Sequence, residues 1–201
     1  MNPGLLVVVS GPAGVGKGTI VRKMMENDPK FIYSISATSR MPRATESEGR
    51  NYYFKTREQF EEMIKNNELI EWVEYCGNYY GTPKSLICNE MEKGNVVILE
   101  IEVDGAINVK RIFPDSVLCF IIPPDFSELE KRLRGRGTDN EESIMNRLAR
   151  AKEEFKYIEK YDYIILNDSI ENAAQRFYNI VRAEQMRTSR NRQLIEKYKN
   201  I

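Results

Sequence analysis

Residues 5–19 read LLVVVSGPAGVGKGT, and the fold turns on them. The run Leu5, Leu6, Val7, Val8, Val9 is apolar without alternation, rich in β-branched side chains and far too short to span a membrane. It predicts a strand buried on both faces of a parallel sheet. The strand runs directly into Gly11-x-x-x-x-Gly16-Lys17, after which Thr19, Ile20, Val21, Met24 and Met25 open a helical pattern. Strand, glycine loop, lysine and helix are the context of a phosphate-binding loop. The glycines let successive backbone N–H groups turn inward at a helix N-terminus, where the macrodipole also favours negative charge. A tight turn alone needs neither the lysine nor the buried strand before it. Lys17 is placed to reach β- and γ-phosphates. One position departs from the usual pattern: the Ser or Thr that touches a metal after the lysine is here Gly18, with Thr19 next. A metal shell completed by water is therefore expected.

The chain has 201 residues, suited to one core domain with insertions. Basic and acidic residues number 30 each, so no net charge advertises nucleic acid or an anionic membrane as partner. The N-terminus lacks a basic region ahead of a longer apolar core, and no apolar run approaches spanning length. A cytoplasmic protein is expected. The cysteines (Cys76, Cys88 and Cys119) are odd in number and form no C-x-x-C pair, which reads as reduced thiols, with Cys119 in the core. There is no histidine. That excludes His-dependent triads, His general bases and most zinc sites.

In chain order, a first helix is predicted over 17–27 and a strand over 31–36. Residues 36–54, SATSRMPRATESEGRNYYF, carry Arg40, Arg43 and Arg50 among acids and aromatics. A polar loop is one reading. A second anion site is the sharper one, because Arg40 and Arg43 flank Pro42, whose fixed φ sets their relation, and guanidinium forks match phosphate oxygens. Residues 58–65 form an amphipathic helix with Phe60, Met63 and Ile64 inward. Residues 69–75 alternate apolar and acidic side chains as a half-buried strand does. Gly77-Asn78 signals a hairpin turn, and Pro83 suits the first position of a helix ending near Gly94. A buried strand over 96–101 ends among Glu100 and Glu102, at the sheet edge where ligands gather in open α/β folds. A helix over 104–111, a buried strand over 117–122 and a helix over 126–134 follow. Glycines bracket the next link, and a helix from residue 140 completes a region dense in Lys131, Arg132, Arg134, Arg136, Arg147, Arg150 and Lys152. After a phosphate loop, this reads as an arginine-bearing lid rather than a merely solvated face. The last core strand covers 163–166 and ends in Asn167-Asp168. A final helix from residue 170 is expected to continue into the charged tail.

Strands that alternate with helices and are continuously apolar predict an α/β fold, a parallel sheet covered by helices on both faces. Its core comprises residues 1–33, 84–124 and 157–201. Two insertions hang from it, 34–83 and 125–156.

Four segments carry a family resemblance: GPAGVGKGT from Gly11, SATSRMPRATESEGRNYYF from Ser36, LIEWVEYCGNYYGTP from Leu69 and RLRGRGTDNEESIMNRL from Arg132. The second is close to S-x-T-T-R-x-P-R-x-G-E-x-x-G-x-x-Y-x-F. Over nearly its whole length the chain resembles the guanylate kinases of compact bacterial type, within the nucleoside monophosphate kinases. That resemblance implies a P-loop NTPase-type sheet, a mixed α/β GMP-binding region at 34–83 and a helical lid at 125–156. It implies transfer of a phosphoryl group from ATP to GMP or dGMP, with Mg2+ accompanying ATP.

By matching position, the ATP side is Gly11, Pro12, Ala13, Gly14, Val15, Gly16, Lys17, Gly18 and Thr19, with Asn167 and Asp168 near the adenine-side loop. Arg40, Arg43, Tyr52 and Tyr80 match ligands of the GMP phosphate, and Ser36, Glu71, Thr82 and Glu100 match guanine-reading groups. Lys17, Arg40, Arg132, Arg136 and Arg147 match the cations around the transferring phosphoryl group, and Glu102 the acid near the magnesium shell. The chemistry agrees. Guanine donates from N1–H and N2 and accepts at O6, so a carboxylate and a hydroxyl read it, whereas adenine would leave the buried acid unpaired. Departures are Ala13 for a frequent Ser, Ser39 for Thr, Asp104 for Gln, and Thr45 for a glycine, which would be strained if φ there were positive. A same-fold kinase with another acceptor (a ribose bisphosphate or another nucleoside monophosphate) and a non-catalytic peptide-binding module of the same kind are the alternatives. The intact Gly11, Gly16 and Lys17 argue against the module, and Glu71, Thr82 and Glu100 argue for guanine. Monomer and homo-oligomer stay open.

Overall fold

Strand β1 (Leu5–Ser10) is wholly buried and central. The computed structural model describes residues 4–43, 45–75, 77–135 and 140–199. From β1 the chain runs through α1 (Lys17–Asn27) and β2 (Phe31–Tyr33) into a smaller unit. That unit holds β3 (Ala37–Thr38), β4 (Tyr53–Phe54), α2 (Arg57–Lys65), β5 (Leu69–Tyr75) and β6 (Asn78–Pro83). Helix α3 (Lys84–Glu92) leads back to β7 (Val96–Glu100), α4 (Val103–Ile112) and β8 (Val117–Ile122). Next come α5 (Phe126–Arg134), α6 (Glu141–Phe155), β9 (Tyr163–Leu166), α7 (Ile170–Met186) and α8 (Arg192–Lys199).

The main sheet is parallel throughout, in the order β2-β7-β1-β8-β9. Successive side chains of a strand face opposite ways, and β1 uses both faces. Leu5, Val7 and Val9 pack with Ile20, Met24, Leu129, Leu148 and Phe177, which come from α1, α5, α6 and α7. Leu6 and Val8 pack with Ile87, Ala106 and Val109 of α3 and α4. Each such side chain contributes about 1.5–3 kcal/mol relative to exposure, which is why the strand has no polar position before Ser10.

The smaller sheet has the order β4-β3-β6-β5 and a core of its own around Ala37, Phe60 and Tyr79. Phe60 and Tyr79 stack at 5.3 Å. Helix α2 begins in a capping box: Gln59 N donates to Thr56 Oγ1 at 3.2 Å and Thr56 N donates to Gln59 Oε1 at 2.9 Å. Both satisfy N–H groups that a helix start leaves without partners.

Four expectations need correction. The strand over 31–36 is two strands in different sheets: β2 ends at Tyr33 and β3 begins at Ala37. Ser34 N still donates to Ile98 O at 2.8 Å, after which the chain crosses over. Such a crossing changes the strand's partner without changing its residue pattern. In β5 the expected apolar-in, acid-out order fails, because Trp72 and Val73 are 48 and 52% exposed while Glu71 is partly buried. Leu69 pairs with Pro83 but Trp72 with Gly81, three residues against two, so a bulge turns the strand over. Pro83 closes β6 and caps α3 instead of opening the helix, a position where its missing N–H costs nothing. Finally, α7 does not run on into the tail. It stops at Met186, a 3-10 turn covers Thr188–Arg190, and α8 follows separately. The buried Glu184 carboxylate causes this, accepting from Arg190 Nη2 at 2.9 Å, Arg187 Nη1 at 3.3 Å and Tyr163 Oη at 2.6 Å.

Among the described non-glycine residues Asn67 has positive φ, 55°. Cys119 is buried core, and burial pushes its thiol pKa up. No helix among the described residues is long and apolar enough to cross a membrane.

Candidate active site

The loop after β1 is shaped by contacts that leave no room for side chains. Gly11 has φ +144°, and a Cβ there would lie 2.5 Å from Ile121 O. Gly16, the residue preceding α1, has φ +98°, and a Cβ would lie 2.5 Å from Asn167 Nδ2. Both demand glycine. Inside the loop Val15 N donates to Pro12 O at 3.2 Å. Lys17 Nζ folds back on the loop, donating to Gly11 O at 2.6 Å and Pro12 O at 3.3 Å. Gly18 and Thr19 are exposed at the first turn of α1. Asn167, at the end of β9, is buried and donates from Nδ2 to Val15 O at 2.7 Å. Its own carbonyl accepts from Arg132 Nη2 at 3.2 Å. Asn167 thus braces the loop, and its Oδ1 has no hydrogen-bond partner among the described residues.

The smaller sheet gathers the second group. Arg40 Nη2 donates to Glu46 Oε1 at 2.9 Å, and Arg43 N donates to Glu46 Oε2 at 2.8 Å. One carboxylate therefore ties both arginine positions. Hydrogen bonding to Arg40, then to the Arg43 backbone, holds the Glu46 pKa below the usual range. The Arg40 guanidinium lies 5.5 Å from the Tyr52 ring centroid, and Tyr52 meets Tyr80 edge-on at 6.0 Å. The structure brings Arg40, Tyr52 and Tyr80 together and leaves the Arg43 side chain exposed.

Thr82 Oγ1 donates to Glu71 Oε1 at 2.6 Å. Burial pushes the Glu71 pKa up, opposed by that hydrogen bond. Ser36 is partly buried at the start of the same sheet, its carbonyl accepting from Tyr53 N at 2.9 Å. Glu100 ends β7 between the two groups. Its Oε2 lies 3.5 Å from where a Cβ of Gly18 would stand. Burial raises its pKa, Lys17 lowers it and Glu102 raises it again. Tyr33 is pushed up to about 12 by burial first, then by Glu100 and Tyr52. Glu100 therefore faces the phosphate loop as well as the smaller sheet.

Helices α5 and α6 supply the third group. Arg132 Nε donates to Glu128 Oε1 at 2.9 Å, alongside its bond to Asn167 O. Arg134 pairs with Glu130 and Glu141. Arg147 and Arg150 line a cavity of about 530 Å³ with Ala13, Glu102 and Glu154. Arg136 lies outside the described residues. Within the basic run Arg132, Arg134 and Arg150 are thus held by local carboxylates. Sequence reasoning missed Glu46, Glu154 and the bracing use of Asn167. The signal for Glu46 was present, an acid three residues after Arg43; Glu154 offered only its i,i+4 spacing from Arg150.

A parallel sheet with a glycine loop and lysine after its central strand, an inserted arginine and tyrosine cluster, and an arginine-bearing helix pair define a phosphate-loop kinase. Comparison narrows the class. The family model described as guanylate kinase matches residues 4–184. The guanylate kinase of Lactococcus lactis subsp. lactis is 50% identical over 97% of this chain and 94% of its own length. That of Halalkalibacterium halodurans is 50% identical over 98% of this chain and 96% of its own. A crystal structure of guanylate kinase from Anaplasma phagocytophilum superposes with a TM-score of 0.76 at 35% identity, covering 100% of this chain and 97% of that one. The chain belongs to the guanylate kinase family.

Proposed function

We propose that the chain transfers the γ-phosphoryl group of ATP to GMP or dGMP, giving ADP and GDP or dGDP. The observation that carries this reading is the Glu71–Thr82 contact on the sheet that also presents Arg40, Tyr52 and Tyr80. A part-buried carboxylate beside a hydroxyl complements the donors and acceptor of guanine, and an adjacent guanidinium with two phenols complements a phosphate. Arg43 joins the phosphate ligands from its exposed position. Ser36 and Glu100 complete the guanine-reading set.

On the other side, the backbone of Gly11, Ala13, Gly14, Val15, Gly16, Gly18 and Thr19, with Pro12 shaping the turn, cradles the ATP phosphates. Lys17 exchanges its loop carbonyls for phosphate oxygens, and Asn167 serves ATP through the loop it braces. Arg132, Arg136 and Arg147 neutralise charge as the phosphoryl group passes in line. Such a transition state needs positioning and electrostatic stabilisation more than a covalent nucleophile. The acceptor is itself a phosphate, so a site without histidine suffices.

Magnesium fits as a passenger of ATP. Among the described residues no group of three or more His, Cys, Asp or Glu could hold a metal ion. Glu102 instead presents one exposed carboxylate at the cleft. Mg2+ keeps several waters and is held by one or two carboxylates plus substrate phosphates, which suits this donor set. When bound, the ion supplies charge neutralisation across the phosphates.

Segments 34–83 and 125–156 act as the GMP-binding region and lid, closing on the core of 1–33, 84–124 and 157–201 and excluding water. The partners are these small molecules, in a cytoplasmic monomer or homo-oligomer. A coupled ADP-release assay with ATP and magnesium, offering GMP, dGMP, AMP, UMP and CMP, tests the reading. Turnover with GMP and little with AMP is expected. Comparable turnover with AMP, or none with any acceptor from folded protein that binds ATP, would overturn it.

A further inference from the structure

Arg150 lies one turn beyond Arg147 on α6, and both line the cavity that Ala13 of the phosphate loop also walls. Its guanidinium joins two carboxylates of very different burial. Nε donates to Glu154 Oε1 at 3.0 Å, and the Glu154 side chain is only 11% exposed. Nη2 donates to Glu102 Oε2 at 2.8 Å, and the Glu102 side chain is 68% exposed. The inner bond is durable, because the other Glu154 oxygen is buried with no hydrogen-bond partner among the described residues, so losing Arg150 would strand a buried carboxylate. The outer bond is an exposed ion pair, which holds weakly and is screened by salt. This outer pair faces the space between the lid helix and the phosphate loop, and each half is the chemical complement of one half of a magnesium nucleotide.

We propose that Arg150 is a further phosphate-binding residue, parked on Glu102, and that magnesium-ATP takes the pair apart. The guanidinium passes to the nucleotide's phosphate oxygens and Glu102 passes to the water shell of the metal. The exchange rests on reading this cleft as the ATP side of the phosphotransferase. It runs downhill at both ends: a guanidinium on phosphate is a charge-assisted, two-pronged contact, and the carboxylate gains a hydrated divalent cation. Glu154 keeps Nε throughout, so the arginine needs no search to find the phosphate.

The test is equilibrium binding of a fluorescent, non-hydrolysable ATP analogue to the full chain, with EDTA and with Mn2+, the metal also followed by its electron paramagnetic resonance signal. Without metal, Glu102→Gln is expected to bind the analogue about threefold tighter, since Arg150 no longer has to leave the Glu102 carboxylate. Arg150→Gln is expected to bind it about tenfold weaker. Mn2+ is expected to improve analogue binding less in Glu102→Gln and in the double variant than in the wild type, because the metal's water shell loses that carboxylate. GMP affinity serves as the control for folding and should not move. Equal weakening in Arg150→Gln and Glu102→Gln without metal, or a Mn2+ gain in Glu102→Gln as large as in the wild type, would overturn the exchange. A wild-type chain that binds no analogue would instead overturn the ATP-side reading.

Discussion

Glu71 carries a charge that folding makes costly, and under the proposed reading guanine needs that charge. Burial raises its pKa from the ordinary 4.5, and Thr82 only partly offsets this. A carboxylate must be ionised to accept from guanine N1–H and N2, so GMP affinity should fall on acidification while ordinary surface carboxylates are still charged. Measured as kcat/KM for GMP against pH, this acid limb should vanish in Glu71→Gln, which should also lose about 10–100-fold in kcat/KM. Persistence of the limb in that variant would assign the titration to Glu100, whose burial pushes it the same way. Arg43→Ala should weaken GMP much more than ATP, and equal losses would remove Arg43 from the acceptor site. Glu46 acts through its neighbours: Glu46→Ala releases Arg40 and the Arg43 backbone together. The KM for GMP should then rise about tenfold with little change for ATP.

At the scale of elements, the phosphate loop is held by a strand far away in the chain. Asn167 reaches Val15 O across a sequence separation of 152 and closes against Gly16. Asn167→Ala would leave that buried carbonyl without its donor, a loss of about 1–3 kcal/mol readable as a lower denaturation midpoint. Gly16→Ala meets both a strained φ and the Asn167 amide, so ATP binding should collapse while GMP binding by the smaller sheet persists. Calorimetric titration of each nucleotide separates the two sites; joint loss would mean that the whole sheet is disturbed. Strand β5 teaches a different lesson. Its residue pattern gave no sign of the register shift between Leu69 and Trp72, beside which Glu71 is partly buried.

For the molecule as a whole, the C-terminal segment is fastened by one buried acid. The family match ends at residue 184, and Glu184 is where the remaining chain is clamped. Burial pushes its pKa up, but Tyr163, Arg190 and Arg187 outweigh that and hold it below the ordinary 4.5. The unfolded chain therefore takes up this proton at higher pH than the folded one. The stabilisation is present above about pH 4.5 and is lost as pH falls through the lowered folded value. Glu184→Gln should flatten the acid side of stability against pH, and Glu184→Ala should cost about 3 kcal/mol in denaturant unfolding. An acid slope unchanged in Glu184→Gln would transfer the effect to other carboxylates.

The sequence by itself determined what depends on local chemistry. An unbroken apolar run has to bury both faces, so β1 and the parallel sheet were legible, as was the glycine loop. The linkage of Arg40 and Arg43 around a rigid proline was legible too, and Glu46 ties both positions. Tertiary structure alone decided the jump between sheets after Tyr33, the inward turn of Glu71, the grip of Asn167 on Val15 and the sharing of Arg150 between Glu102 and Glu154. Backbone preference acts over a few residues and leaves a period in the sequence. Charge pairing and burial act through space, between strand ends and helix faces that meet only once the chain has folded.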